Sequence, residues 1–137
     1  MTTDAPQGGL EEPEDVYTAE RVAEGEASAA RGGLVVLTSA VEYVPTGRLV
    51  GFTRLEAPVE PHLPVLQQET LVLREHRGHA LGTVLKLAAL ELLERERPGH
   101  PGVLTWNAEE NRHMLAINEA VSFAPMGREG AWRLDLA

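Results

Sequence analysis

A chain of 137 residues that is 43% hydrophobic has the size and apolar content for one globular domain around one core, and too little of either for two. Twenty-one acidic residues against twelve basic ones give a formal net charge of −9, which argues against a nucleic-acid role, favours the approach of a cationic substrate such as an amine, and serves solubility in any case. With no cysteine, disulfides, thiolate metal sites and a cysteine nucleophile are excluded, as suits a reducing cytoplasm.

Residues 1–17 are rich in Pro, Gly and acid and read as an extended or disordered lead to a single domain over 18–137. They lack the apolar core of a signal peptide, and no apolar run approaches the ~20 residues that span a bilayer. "TAERVAEGEASAAR", 18–31, predicts a peripheral helix whose thin apolar face is Val22 and several Ala, stopped by Gly32-Gly33.

"LVVLTSAVEYV", 34–44, and "LVGFTRLEA", 49–57, predict an antiparallel hairpin around the turn "PTGR". Gly51 inside the second strand marks a bulge or a close backbone approach. "VLQQETLVL", 65–73, predicts a third strand. From His79 to Glu96 the period turns helical, with Leu81, Val84, Leu85, Ala88 and Leu92 on the inward stripe. "VLTW", 103–106, predicts a short buried strand. Asn107 then reads as an N-cap with Glu110 as its capping-box partner, opening a helix to Val121 with Met114, Ile117 and Val121 inward. "SFAPMGREGAWRLDLA" predicts two final strands around a Gly turn, and Trp106 and Trp132 read as core or sheet-edge residues. The five histidines, His62, His76, His79, His100 and His113, lack the spacing of a zinc site, so no metal is expected.

The stretch "LREHRGHALGTVLKLAAL", 73–90, asks for a ligand. A strand, a loop and a helix start leave free N–H groups pointing one way, and the helix dipole adds partial positive charge. Gly78 and Gly82 allow close backbone approach, and Arg74 and Arg77 add full charges. A pyrophosphate suits such a place, although a plain turn with solvated Arg would leave the same residues.

"HRGHALG" resembles the acetyl-CoA signature of the GNAT acetyltransferase superfamily: Arg or Gln, two residues, Gly, one residue, then Gly or Ala. Arg77 fills the first position and Gly82 the last, while Ala80 stands where Gly is usual. "GRLVGFT", "QQETLVL" and "TWNAEENRHMLAINEAVSF" resemble further parts of that family. Together with "TDAPQGGL" they look most like the C-terminal half of actinobacterial tandem GNAT proteins, the group that includes mycothiol synthase.

The resemblance implies an α/β (α+β) fold with a mixed, mostly antiparallel sheet flanked by helices. It implies acetyl-CoA as co-substrate, with its pyrophosphate on the amides of Gly78, His79, Ala80, Leu81, Gly82 and Thr83 beside Arg77. Leu71, Val72 and Leu73 would meet the thioester and pantetheine, and Asn111 the pantetheine arm. Glu69, two residues before Leu71 and on its face, is the candidate base, with Gln67 expected beside it; a strand-surface Glu is the plain alternative. Asn118 occupies the position of the Tyr that in many relatives protonates the leaving thiolate; His113 on the same helix is a further candidate acid, with a solvent-facing His as the plainer reading.

Ser122 replaces the Gly of the usual Gly-Phe, and the family's first strand and helix have no clear counterpart before Thr18, so an N-terminally shortened domain is expected. The function implied is N-acetylation of a small primary amine, with neither nucleic acid nor membrane as partner. The alternative is a non-catalytic CoA-binding or assembly domain derived from such an enzyme. An exposed sheet edge would favour a homodimer.

Overall fold

The computed structural model of the chain describes residues 18–136. The lead expected at 1–17 lies outside the described residues. Helix α1, Ala19–Arg31, starts where Thr18 accepts the Arg21 amide on its hydroxyl at 3.2 Å. It ends where the Gly32 and Gly33 amides take the Ser28 and Ala30 carbonyls, with Gly33 at φ +74°. No α1 residue is buried, as its thin apolar face implies.

Strands β1, Leu34–Tyr43, and β2, Arg48–Pro58, form the expected hairpin, and Gly47 takes φ +65° in the turn. Both readings of Gly51 hold. Val41 pairs with Gly51 and Glu42 with Leu49, so Val50 is the extra residue of a bulge. A Cβ on Gly51 would stand 2.9 Å from the Leu71 carbonyl oxygen, so only Gly fits without a shift.

Strand β3, Val65–Val72, runs antiparallel to β2, and β4, Val103–Leu104, lies parallel to β3, giving the order β1-β2-β3-β4. The mixed, mostly antiparallel sheet expected is thus present. A second bulge interrupts β2 and β3. Thr53 pairs with Thr70 and Leu55 with Gln67, leaving Gln68 and Glu69 opposite Arg54 alone. The face pattern therefore flips: Gln67 shares a face with Thr53, Leu55 and Thr70, whereas Glu69 shares one with Arg54. The expectation that Gln67 stands beside Glu69 fails for this reason.

Helix α2, Leu81–Glu96, covers the sheet. Its Ala89 and Leu93 close the core with Leu55, Ala57 and Val65. Its buried stripe is Gly82, Leu85, Lys86, Ala89 and Leu93, one residue and therefore ~100° away from much of the stripe expected; Val84 and Leu87 are exposed. A lysine lies on the inner face.

Helix α3 runs over Arg112–Ala120, and its N-cap is Asn111, whose Oδ1 accepts the Met114 amide at 3.2 Å. The Asn107 cap expected from the sequence is not formed, because the Asn107 carboxamide is taken up by Asn118. Beyond Phe123 the described residues form neither helix nor strand. Trp132, Leu134 and Leu136 lie almost fully in solvent, and Trp106 is also exposed. Alternation of apolar residues does not make a strand without a neighbour to pair with. No described helix is long and apolar enough to cross a membrane.

Candidate functional site

Two features of the sheet's C-terminal end make the site. The first is an opening. β3 and β4 pair only at Val65–Val103 and Leu66–Leu104, with one further link from Thr105 Oγ1 to the Gln67 carbonyl at 3.4 Å. β3 then runs on to Val72 while β4 has ended, so its edge from Gln68 onward has no strand beside it among the described residues.

The second feature is the loop into α2. After a 3₁₀ turn at Arg74–His76, the amides of His76 and Arg77 take carbonyls within that turn, and the Val84 amide takes the Ala80 carbonyl at 3.1 Å. Between them, the six amides from Gly78 to Thr83 donate to no acceptor among the described residues. The sign of φ alternates there: Gly78 is at +84° and Ala80 at +56°, with no positive φ at His79 or Leu81. Successive amides in such alternation point into one concavity and bind anions, and the positive end of α2 adds to it. Ala80 holds the left-handed geometry that Gly takes more readily, at a cost of ~1–2 kcal/mol.

Two of the loop residues singled out in the sequence, Arg77 and Gly82, also touch the frame. Arg77 donates through Nε to the Val72 carbonyl at 2.9 Å, tying the loop to the end of β3. A Cβ on Gly82 would lie 2.8 Å from Ile117 Cδ1, so a larger residue there would have to push aside the tip of that side chain on α3; Gly78 has open space around it. Leu71 is buried, and Val72 and Leu73 are half-buried at the open edge.

Glu69 stands on the α1 side of the sheet, bracketed with Glu56 around Arg54: Arg54 Nε–Glu69 Oε2 is 3.3 Å and Arg54 Nη2–Glu56 Oε1 is 3.4 Å. Arg54 Nε and Glu69 Oε2 are enclosed and close, yet not aligned as a hydrogen bond. A cavity of about 600 Å³, open to solvent, lies between α1 and Arg54, lined among others by Val22, Ser28 and Arg31.

Asn118 is 5% exposed and both ends of its carboxamide are engaged. Oδ1 accepts from Lys86 Nζ at 2.7 Å, and Nδ2 donates to Asn107 Oδ1 at 2.6 Å. His113 is exposed to solvent. Lys86 was missed in the sequence, although one signal was there: it is the only lysine, set in the apolar run "TVLKLAAL". It is 1% exposed, and burial lowers its amine to about 8.

No family model matches the chain, nor does any of the curated proteins compared. Solved structures do. A tandem GNAT protein from the clavulanic acid biosynthesis pathway is 39% identical over 77% of this chain, with a TM-score of 0.73. The chain spans about a third, 33%, of that protein's length. Glucosamine-6-phosphate N-acetyltransferase from Arabidopsis thaliana, 12% identical, covers 90% of this chain and 83% of its own, with a TM-score of 0.64. AAC(6')-Iy in complex with the bisubstrate analog CoA-S-monomethyl-acetylneamine, 18% identical, covers 95% and 86% with a TM-score of 0.60. The last two share the fold, and the first shares sequence as well. By its open mixed sheet, its loop into α2 and these likenesses, the chain belongs to the GNAT superfamily.

Proposed function

We propose that the domain over 18–137 binds acetyl-CoA and transfers the acetyl group to a primary amine of a small molecule. The observation that carries the reading is the row of six amides, Gly78 to Thr83, with no acceptor among the described residues. A diphosphate would satisfy donors that otherwise rely on water. The loop opens beside the free edge of β3, so a ligand anchored by its diphosphate has Leu71, Val72, Leu73 and Asn111 along its path. The complex of AAC(6')-Iy with a CoA bisubstrate analog supports the same cofactor class on this fold.

In the reaction, the amine nitrogen bonds to the acetyl carbon, the carbon–sulfur bond breaks, the nitrogen gives up one proton and the sulfur gains one. A Lys-like amine of pKa ~10.4 must lose its proton first, at a cost of about 4.6 kcal/mol at pH 7. Glu69 is the group to receive that proton, directly or through water; the cavity under α1 reaches its ion-pair partner Arg54. Holding amine and thioester together supplies much of the remainder. The net charge of −9 favours the approach of a cationic acceptor. In this reading neither nucleic acid nor membrane is a partner, the setting is the cytoplasm, and a homodimer covers Trp132, Leu134 and Leu136.

A second reading, a CoA-binding or assembly domain without turnover, draws on Asn118, whose carboxamide is occupied by Lys86 and Asn107 and supplies no proton. Calorimetry with acetyl-CoA and with CoA, then free-thiol release over an amine panel, separates the two. Binding with thiol release that Glu69→Gln abolishes supports the enzyme. Binding without release on any amine supports the rival, and no binding removes both. Sedimentation over a concentration series tests the dimer, which a single monomer boundary would remove.

A further inference from the structure

Lys86 is a buried amine on the inner face of α2. Its Nζ is enclosed at the contact of α2 with α3, donates one hydrogen bond to Asn118 Oδ1 at 2.7 Å and lies 5.4 Å from the Phe123 ring centroid. Around it α3 brings Asn118, the segment after α3 brings Phe123, and the loop after β4 reaches it through Asn107. No titratable or charged side chain of the described residues forms an ion pair with it. A methionine of similar length would be expected to hold this position at less cost, because a buried charge with little compensation is poorer than a packed apolar group. Stability therefore does not account for the lysine.

Its chemistry does have a consequence. An ammonium group donates and cannot accept. Asn118 must turn Oδ1 toward it, which leaves the Asn118 Nδ2 group on the other side. That group donates to Asn107, which must offer Oδ1 in turn, at 2.6 Å. The Asn107 NH₂ is then left outside the pair. Asn107 is exposed and lies two residues past Thr105, the last link between β3 and β4, at the mouth of the opening.

We infer that Lys86 is a positioning residue: through Asn118 its charge sets the orientation of Asn107, which then presents an N–H donor to a hydrogen-bond acceptor of the ligand lying between β3 and β4. Without the charge, the two carboxamides have no fixed direction, and Asn107 offers its oxygen as readily as its nitrogen. The orientation is a property of this chain alone; the identity of the ligand as CoA rests on the function proposed above.

The test uses the whole ¹⁵N-labelled chain. In the wild type, the side-chain NH₂ signals of Asn118 and Asn107 are followed by NMR as Lys86 titrates near pH 8. Both should move together through that single transition. In Lys86→Met both transitions should vanish, and calorimetry should show CoA affinity reduced about two- to tenfold, the value of one hydrogen bond, with Tm unchanged or raised. Asn107 signals that stay fixed while Lys86 titrates would overturn the inference. So would a Lys86→Met chain that melts earlier yet keeps full CoA affinity. Should that variant not fold, the wild-type titration decides the orientation alone. A wild-type chain that ignores CoA overturns the ligand assignment and the proposed function, while the titration still decides whether Lys86 orients the two asparagines.

Discussion

The two faces of the sheet are built to different rules. Toward α2, Leu55, Ala57 and Val65 are fully enclosed against Ala89 and Leu93. Even the polar residues there, Thr53 and Gln67, satisfy each other at 2.9 Å. Toward α1, the sheet carries Arg54 between Glu56 and Glu69, and Gln68 donates to Glu56 at 2.8 Å. No residue of the helix above that face is buried. One face holds the fold together, and the other keeps charged groups paired beneath a helix that has no buried residue of its own. The bulge at Gln68–Glu69 is what divides β3 between the two faces, by turning Glu69 away from the side of Gln67.

Substitutions on the two faces should separate stability from chemistry. Glu69→Gln has the largest expected effect: acetyl transfer slowed by ~10²–10⁴-fold. The same variant should lose less than ~1 kcal/mol of stability. The atoms of its contact with Arg54 are enclosed, but both side chains reach solvent in part, a Gln keeps the same shape, and Glu56 remains beside the guanidinium. Thiol release and urea unfolding on one preparation measure both, and a loss of several kcal/mol would move Glu69 to the structural side of the ledger. Leu55→Ala is the opposite case. At 0% exposure it should cost ~2–5 kcal/mol by urea unfolding, with CoA affinity of the folded chain kept within about twofold.

What was legible in the sequence follows the same division between local and distant causes. The hairpin turn, the Gly32-Gly33 stop and the loop from Arg77 to Gly82 are written in residues adjacent along the chain, so they could be read directly. The inward stripe of α2 could not. Leu81, Val84, Leu85, Leu87, Leu90, Leu92 and Leu93 surround the helix, and an apolar pattern on all sides names no face. The sheet and α3 choose the face, and they choose the one with Lys86. In the same way "NAEEN" offers two asparagines able to cap a helix, and Asn118, eleven residues beyond the first, engages Asn107 and leaves Asn111 to cap α3. The bulge at Gln68–Glu69 exists only in the pairing with β2.

Lys86 is the one charge set into the α2 contacts, and pH should expose its cost. Burial lowers its amine from 10.5 to about 8. Between those values the unfolded chain holds a proton that the folded chain has released, so unfolding takes one up. The free energy of unfolding should therefore rise as pH climbs from about 8 to 10.5, by ~1–3 kcal/mol, and gain nothing more above that window. Below 8 both states are protonated and the folded chain carries the full burden of the buried charge. Urea unfolding of the wild type against Lys86→Met over this range isolates the contribution. A difference curve with no slope would mean that the amine is hydrated in the folded state and that the division between the faces has no exception.

The smallest effects concern strain, and they distinguish the loop before α2 from the frame. Ala80, at φ 56°, and Ser122, at φ 69°, are the two non-glycine residues with positive φ among those described. Both stand where the GNAT pattern has Gly. Each holds a backbone geometry that Gly adopts more readily, at a cost of ~1–2 kcal/mol. Restoring Gly removes that strain but adds freedom to the unfolded chain, which takes back ~0.5–1 kcal/mol. Ala80→Gly and Ser122→Gly should then each raise Tm by roughly 2–4 °C. Their effects on ligand binding should differ. Ser122 follows α3 and donates its amide to the Glu119 carbonyl, so CoA affinity should be unchanged there. Ala80 lies within the row of unpaired amides, where a more pliable residue must be ordered on binding, and affinity should fall by about threefold or less. Scanning calorimetry with and without CoA reads both quantities. Equal behaviour of the two variants toward CoA would show that the loop's rigidity plays no part in holding the ligand.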